Sequence, residues 1–181
     1  MVVVHESSPS DMWYHDTLVA FSILEIDVHN LRKDRLDEAG PIIIHEINWE
    51  NGKRVEKAVD HNPDRKTGLE RVLQSVGETE GRVKAKLTES RIAYQYYESS
   101  GLITSEEYGK LEDWYQQAEV ALNRIVRKYH TFRGWKSLTD DEFDSLIEIL
   151  KKDNSAMREL IRDRYVFERE IERRLGIIHG Y

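Results

Sequence analysis

The residues nearest the C-terminus have the types and the spacing of a metal-independent catalytic site. In the segment ERRLGIIHGY, Arg174 is followed by His179 and Tyr181. A fixed guanidinium stabilises the charge that develops on a phosphate, and an imidazole titrates near neutral pH and can transfer a proton. These two groups suffice for attack of a ribose 2′-hydroxyl on a phosphodiester. Arg174 and His179 are therefore candidate catalytic residues.

This Arg-x4-His-x-Tyr spacing is similar to the signature of the HEPN ribonucleases, over eight residues of the 181. The resemblance implies a small all-α dimer in which the Arg and His of two subunits meet at a cleft and act on RNA without a metal ion. It also implies that Arg174 stabilises phosphate charge, that His179 moves a proton and that Tyr181 accompanies them. The alternative interpretation, which we adopt, is a helix that ends at Gly176 and an apolar tail that packs on the core.

Other catalytic or ligand-binding patterns are absent from the sequence. The chain has no cysteine, which excludes disulfides, thiolate nucleophiles and cysteine-ligated zinc. None of the seven histidines stands three residues after a glutamate, so the Glu-x-x-His pairs of di-iron bundles do not occur. No glycine-rich phosphate-binding loop appears. We expect neither a metal ion nor a cofactor.

The composition predicts an acidic protein that does not enter a membrane. Charged residues make up 34% of the chain and the formal net charge is −7. No apolar run approaches the length of a membrane span, and the N-terminal segment lacks the basic start of a signal peptide. We therefore expect a soluble, cytoplasmic protein with no membrane contact.

Nucleic-acid binding is an alternative that depends on one stretch of the chain. Arg158, Arg162, Arg169 and Arg173 would form a basic stripe along the last predicted helix. Proteins that bind nucleic acid carry such stripes, but here acidic residues lie among the arginines. A nucleic acid is therefore a weaker candidate partner than a protein.

The start of the chain predicts a long helix. Ser10 is a favourable N-cap, while Gly40 followed by Pro41 is a stop signal. The apolar residues between them recur at helical spacing, which predicts a helix over 11–38.

A small β-hairpin is predicted after this helix. Asn51 and Gly52 both tolerate the positive φ angles of a two-residue hairpin turn. The pattern indicates a hairpin or arm over 41–60, with its strands within 42–58. The competing interpretation of 42–58 is a helix with a proline at its first position. A turn-rich loop over 60–68 and a short helix over 69–76 follow.

The centre of the chain predicts a long antiparallel αα-hairpin over 79–131. Apolar and tyrosine residues recur there at spacings of four and three, which is typical of the packing seam of a helix pair. Thr104 and Glu107 form a capping box at the start of the second helix. Tyrosine hydroxyls need polar partners or water, so we expect an interaction face. This face would contain Tyr94, Tyr97, Tyr108, Tyr115 and Tyr129.

The end of the chain predicts two helices within 139–175, separated near Asn154. Thr139 would cap the first of them, and the mixed Arg and Glu residues of the second would form its outer face. The complete prediction is an all-α bundle of five or six helices, with a flexible tail over 1–9 and one helical domain over 10–181.

The function that these patterns favour is a non-enzymatic protein that binds a protein partner or self-associates. Heptad seams commonly mediate dimerisation about a two-fold axis. Small cysteine-free helical proteins of this kind include phage and mobile-element factors.

Overall fold

The computed structural model describes residues 9–176, apart from the side chains of Pro9 and Met12. Four α-helices and one two-stranded antiparallel sheet make up most of this part of the chain. In chain order they are α1 (Pro9–Asn30), β1 (Ile43–Glu50), β2 (Lys53–Asp60), α2 (Gly68–Ser99), α3 (Ser105–His130) and α4 (Asp140–Arg174). Short 3-10 helices span Lys33–Arg35 and Thr131–Ser137. The prediction of a largely helical fold with a small β-hairpin is confirmed.

The four helices form a bundle in which each helix packs against its two neighbours. Helix α1 packs against α2 and α4, and α3 packs against the same two helices. Consecutive helices run antiparallel, because each is joined to the next by a reversal of the chain. The largest fully buried side chains in the centre include Trp13, Phe21, Leu122, Leu150 and Ile161.

Local sequence signals fix most ends of these elements. Thr104 caps α3 with the predicted capping box to Glu107, and Thr67 makes an equivalent box at the start of α2. Thr139 caps α4 by accepting the backbone N–H of Glu142 at 3.1 Å. Helix α4 ends at Arg174, and Gly176 follows with a φ of +73°, the left-handed conformation typical of the residue after a helix C-cap, as predicted.

The prediction of five or six helices is wrong in number, because two predicted breaks do not occur. The predicted helices over 69–76 and 79–99 are one helix, α2. The buried stripe of α2 runs without interruption from Val72 to Tyr94, and this packing outweighs the cost of Gly77 within the helix. Helix α4 likewise continues through Asn154, whose side chain is buried rather than capping a new helix.

The first helix also differs from its prediction at both ends. It begins at Pro9 and ends at Asn30, and a 3-10 turn over Lys33–Arg35 replaces its predicted last turns. Ser10 therefore lies inside α1 instead of capping it. Residues 1–8 of the predicted flexible tail lie outside the described residues.

Candidate interaction site

Arg174 is the one member of the Arg-x4-His-x-Tyr motif that falls within the described residues. Its guanidinium donates hydrogen bonds of 2.7 and 3.0 Å to the two carboxylate oxygens of Glu107. The hydrogen bond from Arg174 is the main reason that the pKa of Glu107 is lowered to about 2. Arg174 thus joins the end of α4 to the start of α3. His179 and Tyr181 lie outside the described residues.

The five tyrosines of the expected interaction face differ in exposure. Tyr94 and Tyr129 are 1% and 0% exposed, whereas Tyr97, Tyr108 and Tyr115 are half-buried. Helix α4 of the same chain covers the two buried rings. The hydroxyl of Tyr94 donates to Glu172 at 3.3 Å, and that of Tyr129 accepts a hydrogen bond from Asn154 at 3.1 Å. Tyr94 and Tyr129 are therefore core residues rather than members of an exposed face.

A polar network lies buried where α1, α2 and α4 meet. It consists of Ser10, Trp13, Ser90, Tyr94, Arg164, Glu168 and Glu172. Arg164 donates from Nε to Glu168 at 2.8 Å and from Nη2 to the Ser90 hydroxyl at 2.8 Å. Glu168 also accepts the Ser90 hydroxyl at 2.7 Å and the indole N–H of Trp13. Arg164 and Glu168 are 3% and 0% exposed, so this ion pair is enclosed by protein.

The remaining guanidinium nitrogen of Arg164 is also satisfied. Nη1 donates to the backbone carbonyl of Leu111 at 2.9 Å, and the guanidinium carbon lies 4.5 Å from the centre of the Trp114 ring. Such a cation–π contact is strongest where water is excluded. Burial raises the pKa of Glu168, and the donors Arg164, Ser90 and Trp13 oppose part of that rise.

Glu172 completes the network at the first turn of α1. It accepts the backbone N–H of Ser10 at 2.9 Å and the Ser10 hydroxyl at 2.5 Å. The first N–H groups of a helix have no partner within the helix, and the helix dipole favours a carboxylate there. Glu172 of α4 therefore caps the first turn of α1, a role that the sequence predicts for Ser10.

The sequence predicts that the Arg and Glu residues of the last helix lie on its outer face. Three of them, Arg164, Glu168 and Glu172, are instead buried. The buried positions of α4 recur at spacings of four and three from Phe143 onward, and Arg164 and Glu168 continue that spacing. The spacing of apolar residues along α4 indicates buried positions for Arg164 and Glu168, whereas their charge favours exposed ones. Because the network is closed to solvent, it offers no access to a substrate and acts as a structural element.

The expected basic stripe on α4 is largely neutralised. Arg158 pairs with Glu25 at 3.0 Å, Arg169 pairs with Asp11 at 2.8 Å, and Arg173 pairs with Glu170 at 3.1 Å. Counterion release by phosphate binding requires cations that are available to the phosphates. These ion pairs weaken the case for a nucleic-acid surface on α4.

The β-ribbon, which we define as β1, β2 and the Asn51-Gly52 turn, carries large apolar side chains in solvent. Alternation along β1 places Ile43, Ile47 and Trp49 on one face, with exposed fractions of 53%, 50% and 72%. Ile44, on the opposite face, is 45% exposed. Among the described residues, the strands pair with each other and neither packs extensively against a helix. A two-stranded ribbon without such support is marginally stable in water.

Hydrogen bonds at the base of the β-ribbon order the two segments that join it to the bundle. The carboxylate of Asp60 accepts the backbone N–H groups of Ile42 at 3.0 Å and of Asn62 at 2.9 Å, and it pairs with Arg65. Asn62 is buried and donates to the carbonyl of Gly40 at 2.8 Å. The base is thus ordered by polar contacts, whereas Ile47 and Trp49 toward the tip are exposed within the described part of the chain.

A second exposed apolar stripe lies on α1. Val19, Ile23 and Ile26 are each exposed by about half or more, and they follow a spacing of four and three. Helix α1 is therefore apolar on its inner face and along part of its outer face, which is unusual for a surface helix. This α1 stripe is the other candidate contact surface among the described residues.

Comparison with models of known protein families, with curated proteins and with solved structures finds no match. Within residues 9–176 no group of three or more metal-ligating side chains is positioned to hold an ion. None of the helices described here has the length and apolarity needed to cross a membrane.

Proposed function

We propose that the protein is a non-enzymatic assembly protein that binds a protein partner through its β-ribbon. The observation that carries this proposal is the exposure of Ile43, Ile47 and Trp49 on one face of a ribbon that no described helix covers. Exposed apolar patches of this kind mark interaction sites in soluble proteins. Tryptophan is also enriched among the residues that dominate binding energy at protein interfaces.

The architecture of the molecule supports a division of roles. The bundle carries a closed polar network, and the base of the β-ribbon is fixed by Asp60 and Asn62. Loops and arms on rigid scaffolds are common sites of binding because the scaffold limits the entropy lost on association. The β-ribbon can therefore contact a partner by strand addition at its edge or by burial of its apolar face.

The test compares capture of partners from the native host by three forms of the full chain. The first form is the wild type, and the second carries Ile47→Ser with Trp49→Ser. The third is a matched control, Ile92→Ser with Val120→Ser, which removes two exposed apolar side chains from α2 and α3 instead. Each captured protein is then purified and its affinity for the three forms is measured by calorimetry.

We expect the β-ribbon variant to lose the partner while the control retains it. Circular dichroism should show the same helix content in all three forms, which would separate a lost contact from a lost fold. Retention of every partner by the β-ribbon variant, with unchanged affinity, would contradict the proposal.

A further inference from the structure

We infer that the partner of the β-ribbon is a second copy of this chain, paired antiparallel along the free edge of β1 about a two-fold axis at Ile47. This inference rests on the proposed function, because it specifies which protein occupies the same surface. Four features of the β-ribbon carry it: the direction of its backbone groups, the charge of its two edges, the register that the charges allow, and the sheet that results.

The turn determines which backbone groups of β1 are free. Asn51 and Gly52 have φ angles of 52° and 75°, as in a two-residue type I′ turn. In such a hairpin the flanking residues, here Glu50 and Lys53, form a hydrogen-bonded pair. Hydrogen-bonded pairs then alternate along the ladder, so Ile47 and Trp49 direct their N–H and C=O groups to the outer edge. The residues with free backbone groups are thus the residues that carry the exposed apolar side chains.

The two edges of the β-ribbon differ in charge. Strand β2, KRVEKAVD, has five charged residues in eight, whereas β1, IIHEINWE, has two. Charged side chains on an edge strand oppose pairing with another strand. Strand β2 is therefore protected against strand addition, and β1 is the edge that is open to it.

The charges on β1 also select a register for pairing with itself. An antiparallel pair centred on Glu46 would place that residue opposite its own copy. A pair centred on Asn48 would place Glu46 opposite Glu50 of the partner subunit. Like charges directly opposite each other destabilise a sheet. Centring on Ile47 places Glu46 opposite Asn48 of the partner subunit, so this register opposes no like charges and still pairs nearly the whole strand.

The register centred on Ile47 also joins the apolar side chains of two copies. Ile47 lies opposite Ile47 of the partner subunit, and Trp49 lies opposite His45 of the partner subunit. The result is a four-stranded sheet in which the Ile47 and Trp49 side chains of both central strands share one face with His45, and the outer strands add Arg54, Glu56 and Asp60 at its margins. Sheets of three or more strands with an apolar face reach a stability that a two-stranded ribbon does not. Pairing with a second copy therefore supplies support that the described helices do not give the β-ribbon.

The first experiment measures the mass of the full chain by sedimentation equilibrium over a concentration series. We expect the wild type to reach twice the monomer mass and Ile47→Lys to remain a monomer, because the substitution places two ammonium groups opposite each other. The matched control is Ala58→Lys, an exposed position on the protected strand β2, and it should dimerise as the wild type does. A wild type that stays monomeric throughout the series would overturn the inference.

The second experiment uses the absence of cysteine from the chain. In an Ile47→Cys variant the two thiols would be opposite each other, with their Cα atoms about 5.5 Å apart in a hydrogen-bonded pair. That separation lies within the range of about 4.4–6.8 Å over which disulfides form. Mild oxidation should therefore link the Ile47→Cys variant into a dimer and leave an Ala58→Cys variant unlinked. Equal linking of both variants, or of neither, would refute the register.

These outcomes separate the inference from the proposed function. A monomeric wild type whose other partner is lost on Ile47→Ser with Trp49→Ser would retain the function and refute the second copy as partner. A dimer unaffected by Ile47→Lys, and lost instead on Ile23→Lys, would place self-association on the α1 stripe and refute the inference. If neither self-association nor any other partner depends on the β-ribbon, both proposals fail.

Discussion

The polar network and the β-ribbon reverse the usual distribution of side chains. The network encloses charged groups, with Glu168 fully buried against Arg164, whereas the β-ribbon exposes Ile47 and Trp49 to solvent. Each arrangement costs free energy when considered alone, since buried charge loses hydration and exposed apolar surface orders water. The two regions differ in the interactions that offset this free-energy cost. For the network, hydrogen bonds within the chain offset the cost, and for the β-ribbon the proposed partner would offset it.

Under the proposed function, the residues that stabilise the bundle differ from the residues that bind. Removal of one member of the network leaves an unpaired charge inside the bundle, so the folded state of the single chain bears the cost. Removal of an apolar side chain from the β-ribbon changes little within the single chain and should weaken association.

The largest effect is expected for Glu168→Ala, which leaves the guanidinium of Arg164 buried without its carboxylate. Breaking a buried ion pair by removing one partner costs about 3–5 kcal/mol. Glu170→Ala is the matched control on the same helix, because the exposed pair of Glu170 with Arg173 should contribute at most about 1 kcal/mol. Urea denaturation measures both free energies of unfolding. Equal losses in the two variants would mean that the network is not a stability element.

Simultaneous replacement of both ions sharpens this test. We expect Arg164→Met with Glu168→Leu to be less destabilising than Glu168→Ala alone, because the pair of apolar side chains leaves no isolated charge. The same denaturation experiment applies. A double variant that is less stable than Glu168→Ala would show that the apolar pair does not replace the stabilisation that the ion pair and its hydrogen bonds provide.

An intermediate effect is expected at the contact between Tyr129 and Asn154. Tyr129→Phe removes the hydroxyl that accepts the buried amide of Asn154 and should cost about 1–3 kcal/mol, the desolvation penalty of an unpaired polar group. Adding Asn154→Leu should recover most of that loss, because both polar partners are then absent. Thermal unfolding of the two variants tests this expectation. No recovery in the double variant would assign the loss to packing rather than to the hydrogen bond.

A smaller effect on folding is expected for Ile47→Ser with Trp49→Ser. Substitutions of exposed residues usually change the free energy of unfolding by less than about 0.5 kcal/mol. This value applies at concentrations where the chain is monomeric, and above them the variant should lose the stabilisation that association gives. Chemical denaturation at low and high protein concentration distinguishes the two regimes. A large loss for the dilute monomer would show that the β-ribbon supports the bundle directly.

The smallest effect concerns the ion pair at the end of α4. The pKa of Glu107 is about 2 in the folded chain, below its ordinary value of 4.5, chiefly because Arg174 donates hydrogen bonds to it. The stabilisation that follows is present above pH 4.5 and is lost as the pH falls through about 2. Arg174→Ala should move the pKa of Glu107 toward 4.5, although the capping box with Thr104 keeps part of the shift. NMR titration of the carboxyl carbon measures the change, and an unmoved pKa would remove the structural role assigned to Arg174.

Local signals in the sequence predicted the β-ribbon and several helix ends. Asn51 and Gly52 specify a hairpin turn by their tolerance of positive φ, and Thr104 with Glu107 specifies a helix start within four residues. Such features depend on neighbours in the chain, so they can be recognised without the fold. The exposed positions of Ile47 and Trp49 could not be recognised in this way, because alternation along a strand does not state whether a helix covers either face.

The continuity of α2 and α4 could not be predicted from the same signals. Gly77 and Asn154 have low helical preference, and both residue types are common at helix ends. In the bundle, the buried stripe of α2 and the hydrogen bond between Asn154 and Tyr129 make the unbroken helices more favourable. The burial of Tyr94 and Tyr129 could not be predicted for a related reason, because spacing along α2 and α3 does not show that α4 covers these two rings.

The sequence by itself determined the helical class, the turn of the β-ribbon and the periodic stripes, because these depend on backbone preference and on spacing along one element. The tertiary structure alone decided that Arg164, Glu168 and Glu172 are buried and that the apolar face of the β-ribbon is not. A charged side chain is stable in the interior only when partners from other helices meet it, and Trp13, Ser90 and Ser10 come from distant parts of the chain. Their convergence is a property of the packed bundle, and spacing along a single helix does not contain it.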